Sequence, residues 1–200
     1  MRLFSYKIVR DYGFAPNPFH GTCTLAACKP QIRTAACPGD IIVGCGSAAN
    51  KLAGKIICIL RVTGKCAFQE YWDNPAFARK QPFFKGNQAR AYGDNIYHRD
   101  SHGNWLQERS HHSFPDGAVN PENLRRDTGS DNVLWSNDFA YWGRDAILIP
   151  AEFRNFKGDD LYPNNRAHRS RFNDGFVIAL DEWFKKQPNR GYLGRPAAWP

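Results

Sequence analysis

The segment GKIICILRVTGKC, residues 54–66, constrains the fold more than any other part of the sequence. Its run of apolar and β-branched residues is typical of a buried strand. Shorter strand patterns lie on either side of it, but helices do not alternate with them as a series of βαβ units requires. The sequence therefore predicts an α+β fold: a small mixed or antiparallel β-barrel decorated by two or three helices.

Periodicity and turn residues place the other elements within a single expected domain, 1–200. Further strands are predicted over residues 3–9, 38–47, 132–136 and 146–150, with a hairpin over 94–110 that turns at Ser101–Gly103. Helices are predicted over residues 22–29, 67–77 and 174–187. Thr22 and Asp174 are expected as N-caps, and Pro30 and Pro75 as helix breakers. Residues 79–90 read as a basic loop and 111–131 as polar turns.

The stretch DYGFAPNPFHGTCTLAACKP, residues 11–30, follows the first strand, where a short turn would suffice. Long ordered loops tend to be functional, and this one is too aromatic for disorder. Its prolines limit the conformational entropy that is lost on ordering. We expect a stiff, preformed wall of a binding site.

The distribution of charge predicts a polyanionic partner. The chain has a formal net charge of +8. Residues 1–90 carry 13 Lys and Arg against 4 Asp and Glu, whereas residues 91–153 carry 5 against 10. A basic face attracts nucleic acid through steering and counterion release. A basic surplus that serves only solubility is the open alternative.

No segment approaches the length of a membrane span and the amino end lacks a signal-peptide pattern, so we expect a cytoplasmic protein without a membrane partner. The six cysteines lie between Cys23 and Cys66 without a CxxC pair, which predicts reduced thiols and no bound metal. Histidines at 98, 102, 111 and 112 fall on a predicted hairpin and its flank, where HxxxH spacing gives no shared face. No phosphate-loop, GxGxxG, GxSxG or HExxH pattern occurs, and we expect no cofactor.

Two sets of residues are candidates for catalysis, if the protein is an enzyme. Cys23 would lie in the first turn of a helix capped by Thr22, where a thiolate is favoured. Alternatively, His111 would move a proton together with Asp94 or Asp127. In the competing interpretation Cys23 and Cys28 are small buried apolar residues.

Several segments together resemble the second type of nucleotide modification associated domain. They are YGFAPNPFHGTCTLAACKPQIR, PGDIIVGCGS, IICILRVTGKCAFQEYW, GDNIYH, the Gln-x-x-Ser-His run at 107–111, VLWSNDFAYWG and AILIP. The resemblance implies a phage or bacterial system that modifies, or responds to, altered bases in DNA. It transfers no catalytic residues.

A second similarity, of PGDIIVGCGS and the following strand and aromatic helix, is to the PUA-like EVE, YTH and ASCH domains. It implies a small barrel that holds a modified base in an aromatic cleft, although the N-terminal tryptophan pattern of EVE domains is missing. The residues expected to bind the base or nucleotide are Phe14, Asn17, Phe19, His20, Thr24, Lys29, Arg33, Trp72, Asn95, Ser110 and His112.

Three functions remain open from the sequence. The first is recognition of a modified base or nucleotide in nucleic acid, with DNA favoured. The second is an enzyme that cleaves or processes such a base or nucleotide through Cys23 or His111. The third is a partner-binding subunit whose surplus aromatic residues form an interface.

Overall fold

The computed structural model describes residues 1–164 and 168–200, which cluster into two compact units. Unit 1 comprises Met1–Tyr12, Ala36–Thr63 and Ser136–Pro200, and unit 2 comprises Gly13–Ala35 and Gly64–Trp135. Each unit is assembled from segments that are distant in sequence, so neither is one continuous piece of chain. The single domain expected over the whole chain stays a prediction.

The described residues form an α+β fold, as the sequence predicts. Its strands are β1 (Leu3–Lys7), β2 (Cys23–Leu25), β3 (Ile41–Cys45), β4 (Lys55–Arg61), β5 (Gly64–Cys66), β6 (Tyr97–Arg99), β7 (Trp105–Gln107), β8 (Val133–Ser136), β9 (Asp138–Tyr141), β10 (Ile147–Leu148), β11 (His168–Arg169) and β12 (Gly191–Tyr192). Its α-helices are α1 (Pro30–Ala35), α2 (Phe68–Asp73), α3 (Gln88–Ala91), α4 (Pro121–Thr128) and α5 (Asp174–Lys185). Short 3-10 helices cover Ala48–Asn50, Pro75–Lys80, Gly143–Asp145 and Ala151–Phe153.

Unit 1 is built on one mixed sheet with the strand order β11-β1-β3-β4-β9-β12, and β10 pairs with β4. Strands β1 and β3 run parallel, whereas β4 is antiparallel to both β3 and β9. Among residues 1–164 and 168–200, no strand pair joins β11 to β12, so the sheet is open. The expected closed barrel is therefore not found, and the PUA-like similarity is not confirmed.

Helix α5 supplies one side of the unit 1 core. Phe176, Leu180 and Phe184 recur every four residues and are fully buried among sheet residues such as Ile59. This spacing places them on one face of the helix. The N-cap is Asn173, whose side chain accepts a hydrogen bond from the Phe176 N–H at 2.9 Å, rather than the predicted Asp174.

Unit 2 contains the sheet β2-β8-β5, the hairpin β6-β7 and helices α1 to α4. The predicted hairpin turn is confirmed, since the Gly103 N–H donates to the Asp100 carbonyl at 3.0 Å. The helix predicted over 22–29 is wrong: part of this segment is strand β2, and Pro30 begins α1 instead of ending a helix. Proline is tolerated in a first helical turn because its missing N–H would have no partner there.

Helix α4 lies where the sequence analysis expects polar turns. Asn120 caps it by accepting the N–H groups of Glu122 and Asn123, each at 3.1 Å. Pro121 occupies the first turn. These are helix-start signals that the polar composition of the segment obscures.

Candidate active site

Cys28 lies in unit 2, in the tight connection between strand β2 and helix α1. Cys28 and Lys29 have φ angles of 60° and 45°, in the left-handed region that side chains rarely adopt. Such conformations persist where the surrounding structure holds them, and they concentrate at functional sites. Here the Cys28 N–H donates to Asp127 Oδ1 at 3.0 Å, and its carbonyl accepts Arg33 Nε at 2.9 Å. The main chain of Cys28 is thus held on both sides.

His112 lies between the thiol and the carboxylate. Its Nε2 is 3.7 Å from Cys28 Sγ, and its Nδ1 is 2.8 Å from Asp127 Oδ2. The side chain of His112 is 12% exposed, and its ring packs against Phe14 with the centroids 4.6 Å apart. The two ring nitrogens therefore face two different partners.

Asp127, in the last turn of α4, is fully buried and accepts four hydrogen bonds. Oδ1 accepts from the Cys28 N–H and from Arg126 Nε, each at 3.0 Å. Oδ2 accepts from Tyr97 Oη at 2.9 Å and from His112 Nδ1. A carboxylate so surrounded by donors holds the His112 ring in the tautomer that carries a proton on Nδ1.

The interactions between His112 and Asp127 favour the charged form of each side chain. Burial opposes charge on His112, but the hydrogen bonds to Asp127 and Cys28 prevail and raise the pKa of His112 to about 9. Burial likewise acts to raise the pKa of Asp127, but the hydrogen bond and charge of His112, together with Arg126, lower it below its ordinary value. Through its Nε2, the His112 ring is close enough to Cys28 Sγ for proton transfer between the two side chains. The arrangement is that of a nucleophile, a base and a group that orients the base.

Cys28, His112 and Asp127, hereafter the triad, also meet the geometric condition for a metal site. Their ligand atoms lie within 4.8 Å of one another. However, all four hydrogen bonds to Asp127 come from protein donors, and one donor is the cationic Arg126. A metal ion would have to displace these donors and approach a guanidinium. The donor set therefore fits proton transfer better than metal binding.

Arg33 supports the triad from the interior. It is fully buried, and its guanidinium donates to the carbonyl oxygens of Cys28, Asp127, Ser130 and Asn132. These bonds connect the loop of Cys28 to the chain that follows α4. Burial lowers the pKa of Arg33 to about 10, although the charge of Asp127 acts to raise it.

Family models match the chain over its whole length, residues 1–200, to nucleotide modification associated domain 2. The chain belongs to this family. Comparison with curated proteins and with solved structures finds no match. The resemblance noted in the sequence is thereby confirmed. Within residues 1–164 and 168–200 of this nucleotide modification associated domain, the triad is a cluster whose side chains have the chemistry of a reactive site.

Of the catalytic candidates expected from the sequence, Asp127 belongs to the triad, whereas Cys23, Asp94 and His111 do not. Cys23 is on strand β2 and fully buried, and burial raises its pKa to about 12. Asp94 is also fully buried, where Thr24 Oγ1 and Tyr71 Oη donate to it at 2.7 and 2.8 Å. His111, next to the triad in sequence, is exposed and contacts Phe14 with the ring centroids 5.4 Å apart.

The residues of the 11–30 loop that were expected to bind a base are mostly interior. Phe14 and Phe19 are each 4% exposed, which leaves little of either ring for stacking. The Asn17 and Thr24 main chains pair with each other at 2.8 and 2.9 Å. Lys80, also fully enclosed, donates to Asn17 and to the Thr22 carbonyl. The aromatic rings of the loop are therefore packed into the interior and do not form the exposed wall of a binding site.

The other expected binding residues are scattered through unit 2. His20 is half-buried, and burial, with the nearby Arg79, lowers its pKa to about 4. Trp72 is half-buried and stacks on His98 with the centroids 4.0 Å apart. Asn95 is fully buried, and its Nδ2 donates to the Tyr71 carbonyl at 2.9 Å.

Besides Arg33 and Phe14, which contact members of the triad, three expected binding residues lie in or next to it. His112 is the central member. Lys29 follows Cys28, is half-buried, and has its pKa lowered by burial. Ser110 is 8% exposed, and its Oγ accepts the His112 N–H at 3.3 Å. Ser110 therefore shapes the turn that presents His112.

Sequence reasoning missed Cys28 as a nucleophile and missed the support from Tyr97 and Arg126. It named Asp127 only as a partner of His111. The helix-start signal at Asn120–Pro121 could have placed Asp127 on a helix. No local signal pairs Cys28 with His112, since they are 84 positions apart.

Proposed function

We propose that this nucleotide modification associated domain recognises a modified base or nucleotide and processes it with Cys28 as the nucleophile. The observation that carries the proposal is the position of His112 between Cys28 Sγ and Asp127 Oδ2. A nucleophile, a base within reach of it and a carboxylate that orients the base form the constellation used in acyl transfer on unrelated folds. The family description, nucleotide modification associated domain 2, supports a nucleotide as the substrate.

The reaction that suits this constellation is cleavage of an amide bond on a modified base or nucleotide. The Cys28 thiolate attacks the carbonyl carbon, and a thioester forms as the carbon–nitrogen bond breaks. The leaving amine takes a proton from His112. Water then attacks the thioester while His112 takes a proton from it. The carbon–sulfur bond breaks, which releases a carboxylic acid and restores the Cys28 thiolate next to protonated His112.

Each supporting residue has a role in that scheme. Asp127 orients the His112 ring and stabilises its charged form. Tyr97 and Arg126 hold the Asp127 carboxylate in place through hydrogen bonds. Arg33 fixes the Cys28 main chain through its carbonyl.

The wider setting stays a prediction. A role in phage or bacterial DNA modification or defence, DNA as the nucleic acid, and a cytoplasmic location all extend the family description. A PUA-like mode of base recognition rests on a sequence similarity. None of the helices in the two described ranges is long and apolar enough to cross a membrane.

The test uses an oligodeoxynucleotide that carries one N-acylated base. Mass spectrometry follows the loss of the acyl group from the oligonucleotide and its transfer to Cys28 in acid-quenched samples. We expect Cys28→Ala to reduce turnover by roughly 1,000-fold and His112→Ala by roughly 100-fold or more. Cys23→Ala is the matched control and should retain turnover.

Two outcomes would contradict the proposal. Turnover that survives in Cys28→Ala would exclude this residue as the nucleophile. Tight binding of the modified oligonucleotide with no acyl loss, across a panel of amide-bearing bases, would identify a reader domain instead.

A further inference from the structure

We propose that an exposed aromatic and basic surface of unit 2 binds a single-stranded nucleic acid. The surface comprises Phe83, Phe84, Lys85, Arg90 and Arg109 and is called here the Phe83–Phe84 surface. This proposal rests on the proposed function, because the single strand bound at this surface would carry the modified nucleotide that the triad processes.

Two adjacent phenylalanines of this surface are accessible to solvent. Phe83 is 47% exposed and Phe84 is 50% exposed. Each ring is accompanied by a guanidinium: Arg90 lies 5.5 Å from the Phe83 centroid and Arg109 lies 5.0 Å from that of Phe84. Exposed rings next to cations are the combination on which unpaired bases stack while phosphates are neutralised.

The charged residues of the segment that carries the two rings are all basic. Residues 74–93 contain Arg79, Lys80, Lys85 and Arg90 and no Asp or Glu. Lys80 is buried, but Arg79 and Lys85 are exposed. The acidic residue next to Arg109 in sequence, Glu108, is engaged by His98 at 2.8 Å. A polyanion is therefore the complementary partner.

The surface is held in place before any ligand arrives. The Phe83 N–H donates to the Arg90 carbonyl at 2.9 Å, which closes the loop that carries both rings. Asn87 caps helix α3 by accepting the Arg90 N–H at 3.0 Å. Lys80 anchors the start of the loop, because its ammonium group donates to Asn17 and Thr22. A preformed surface loses little conformational entropy on binding.

Two short segments of unit 2 connect this surface to the triad. Arg109 precedes His112 by three residues, which span at most about 10 Å of chain. Tyr92 follows Arg90 by two residues, and its ring centroid is 5.3 Å from that of His111. A strand stacked on Phe83 and Phe84 would thus place a neighbouring nucleotide close to Cys28 and His112.

The choice of an unpaired strand follows from the exposed rings. In duplex DNA the faces of the bases are covered by the neighbouring base pairs, so the Phe83 and Phe84 rings cannot stack on them. A duplex would be bound only through the charge of the basic side chains next to the rings. Unpaired bases expose their faces, and stacking is tolerant of sequence. The geometry therefore favours single-stranded DNA or RNA over a duplex.

The test measures fluorescence anisotropy with fluorescein-labelled 12-nucleotide thymidine and uridine strands and a labelled 12-base-pair duplex. The full chain is titrated at 50 and 200 mM salt. We expect tighter binding to the single strands than to the duplex, and a roughly tenfold weaker affinity in Phe83→Ala and in Phe84→Ala. Lys85→Ala should weaken binding to all single strands and reduce the salt dependence. The thymidine and uridine arms distinguish DNA from RNA.

Two control variants make the result interpretable. Tyr192→Ala removes a ring that is 43% exposed in unit 1 and should bind like the wild type. Cys28→Ala should also bind like the wild type while losing turnover, so failure of the catalytic proposal and failure of this one are distinguishable. All of the substituted surface side chains are exposed, and thermal melting checks that each variant folds.

Two results would overturn the proposal: preference of the wild type for the duplex, or unchanged single-strand affinity in the Phe83→Ala and Phe84→Ala variants.

Discussion

The backbone N–H of Cys28 donates directly to Asp127 Oδ1, while the other oxygen of the same carboxylate accepts His112 Nδ1. One buried side chain therefore positions both the main chain of the nucleophile and the ring of the base. The link also explains how a left-handed conformation at Cys28 is maintained, since the carboxylate holds the peptide on its N-terminal side.

Replacement of His112 by Ala should reduce the rate at which iodoacetamide alkylates Cys28 by roughly tenfold at pH 7, because Cys28 Sγ loses the imidazole that can accept its proton. Peptide mass spectrometry after timed quenching measures the rate at each cysteine. Exposed Cys37 is the internal control, and its rate should not change. Equal alkylation of Cys28 in the variant and the wild type would show that His112 does not activate the thiol.

The contribution of His112 to the stability of the protein should fall as the pH rises from about 6.5 to about 9. The pKa of His112 is raised to about 9 in the folded state, from 6.5. Its contribution is thus fully present below pH 6.5 and is lost as the pH passes through 9. The expected size is on the order of 2–3 kcal/mol. Urea unfolding across pH 6–10 measures it, and a His112→Ala variant with an unchanged slope in this window would contradict the assignment.

Arg33→Ala should destabilise the fold by about 3–5 kcal/mol. The substitution leaves four carbonyl groups without the hydrogen bonds that the Arg33 guanidinium donates to them. Chemical denaturation of the variant and the wild type gives the difference in free energy of unfolding. Arg125→Ala on helix α4 is the matched control, since Arg125 is exposed and its loss should change stability by less than about 0.5 kcal/mol. A mild effect of Arg33→Ala would argue that Arg33 can leave the interior and bind a nucleotide, as the sequence alone suggests.

Asp94→Ala should act on stability rather than on catalysis. The substitution leaves Thr24 Oγ1 and Tyr71 Oη without their acceptor and removes a negative charge that acts on the buried Lys80. We expect a loss of about 3 kcal/mol in the free energy of unfolding, measured by urea denaturation. Asp116→Ala, at an exposed position, should have little effect. Loss of turnover in a fully folded Asp94→Ala protein would restore Asp94 as a catalytic candidate.

Sequence reasoning worked best where local periodicity and packing agree. The strand over 54–66 becomes β4 and β5, the segment 67–77 contains α2, and the helix predicted at 174–187 is α5. It was wrong for residues 22–29, where Pro30 signals the start of a helix rather than its end. It also missed α4, because a polar helix lacks the apolar stripe that periodicity detects.

The sequence by itself determined the class of fold and the family. These properties depend on composition and on patterns among residues that are close in sequence, so they can be recognised without knowledge of the tertiary contacts. Only the tertiary structure decided which cysteine meets which histidine. Cys28, His112 and Asp127 come from segments up to 99 positions apart, and their hydrogen bonds depend on how β2, the turn after β7 and α4 pack together. The same packing turned Phe14 and Phe19 inward and left Phe83 and Phe84 exposed. Burial depends on the whole set of contacts rather than on residue type.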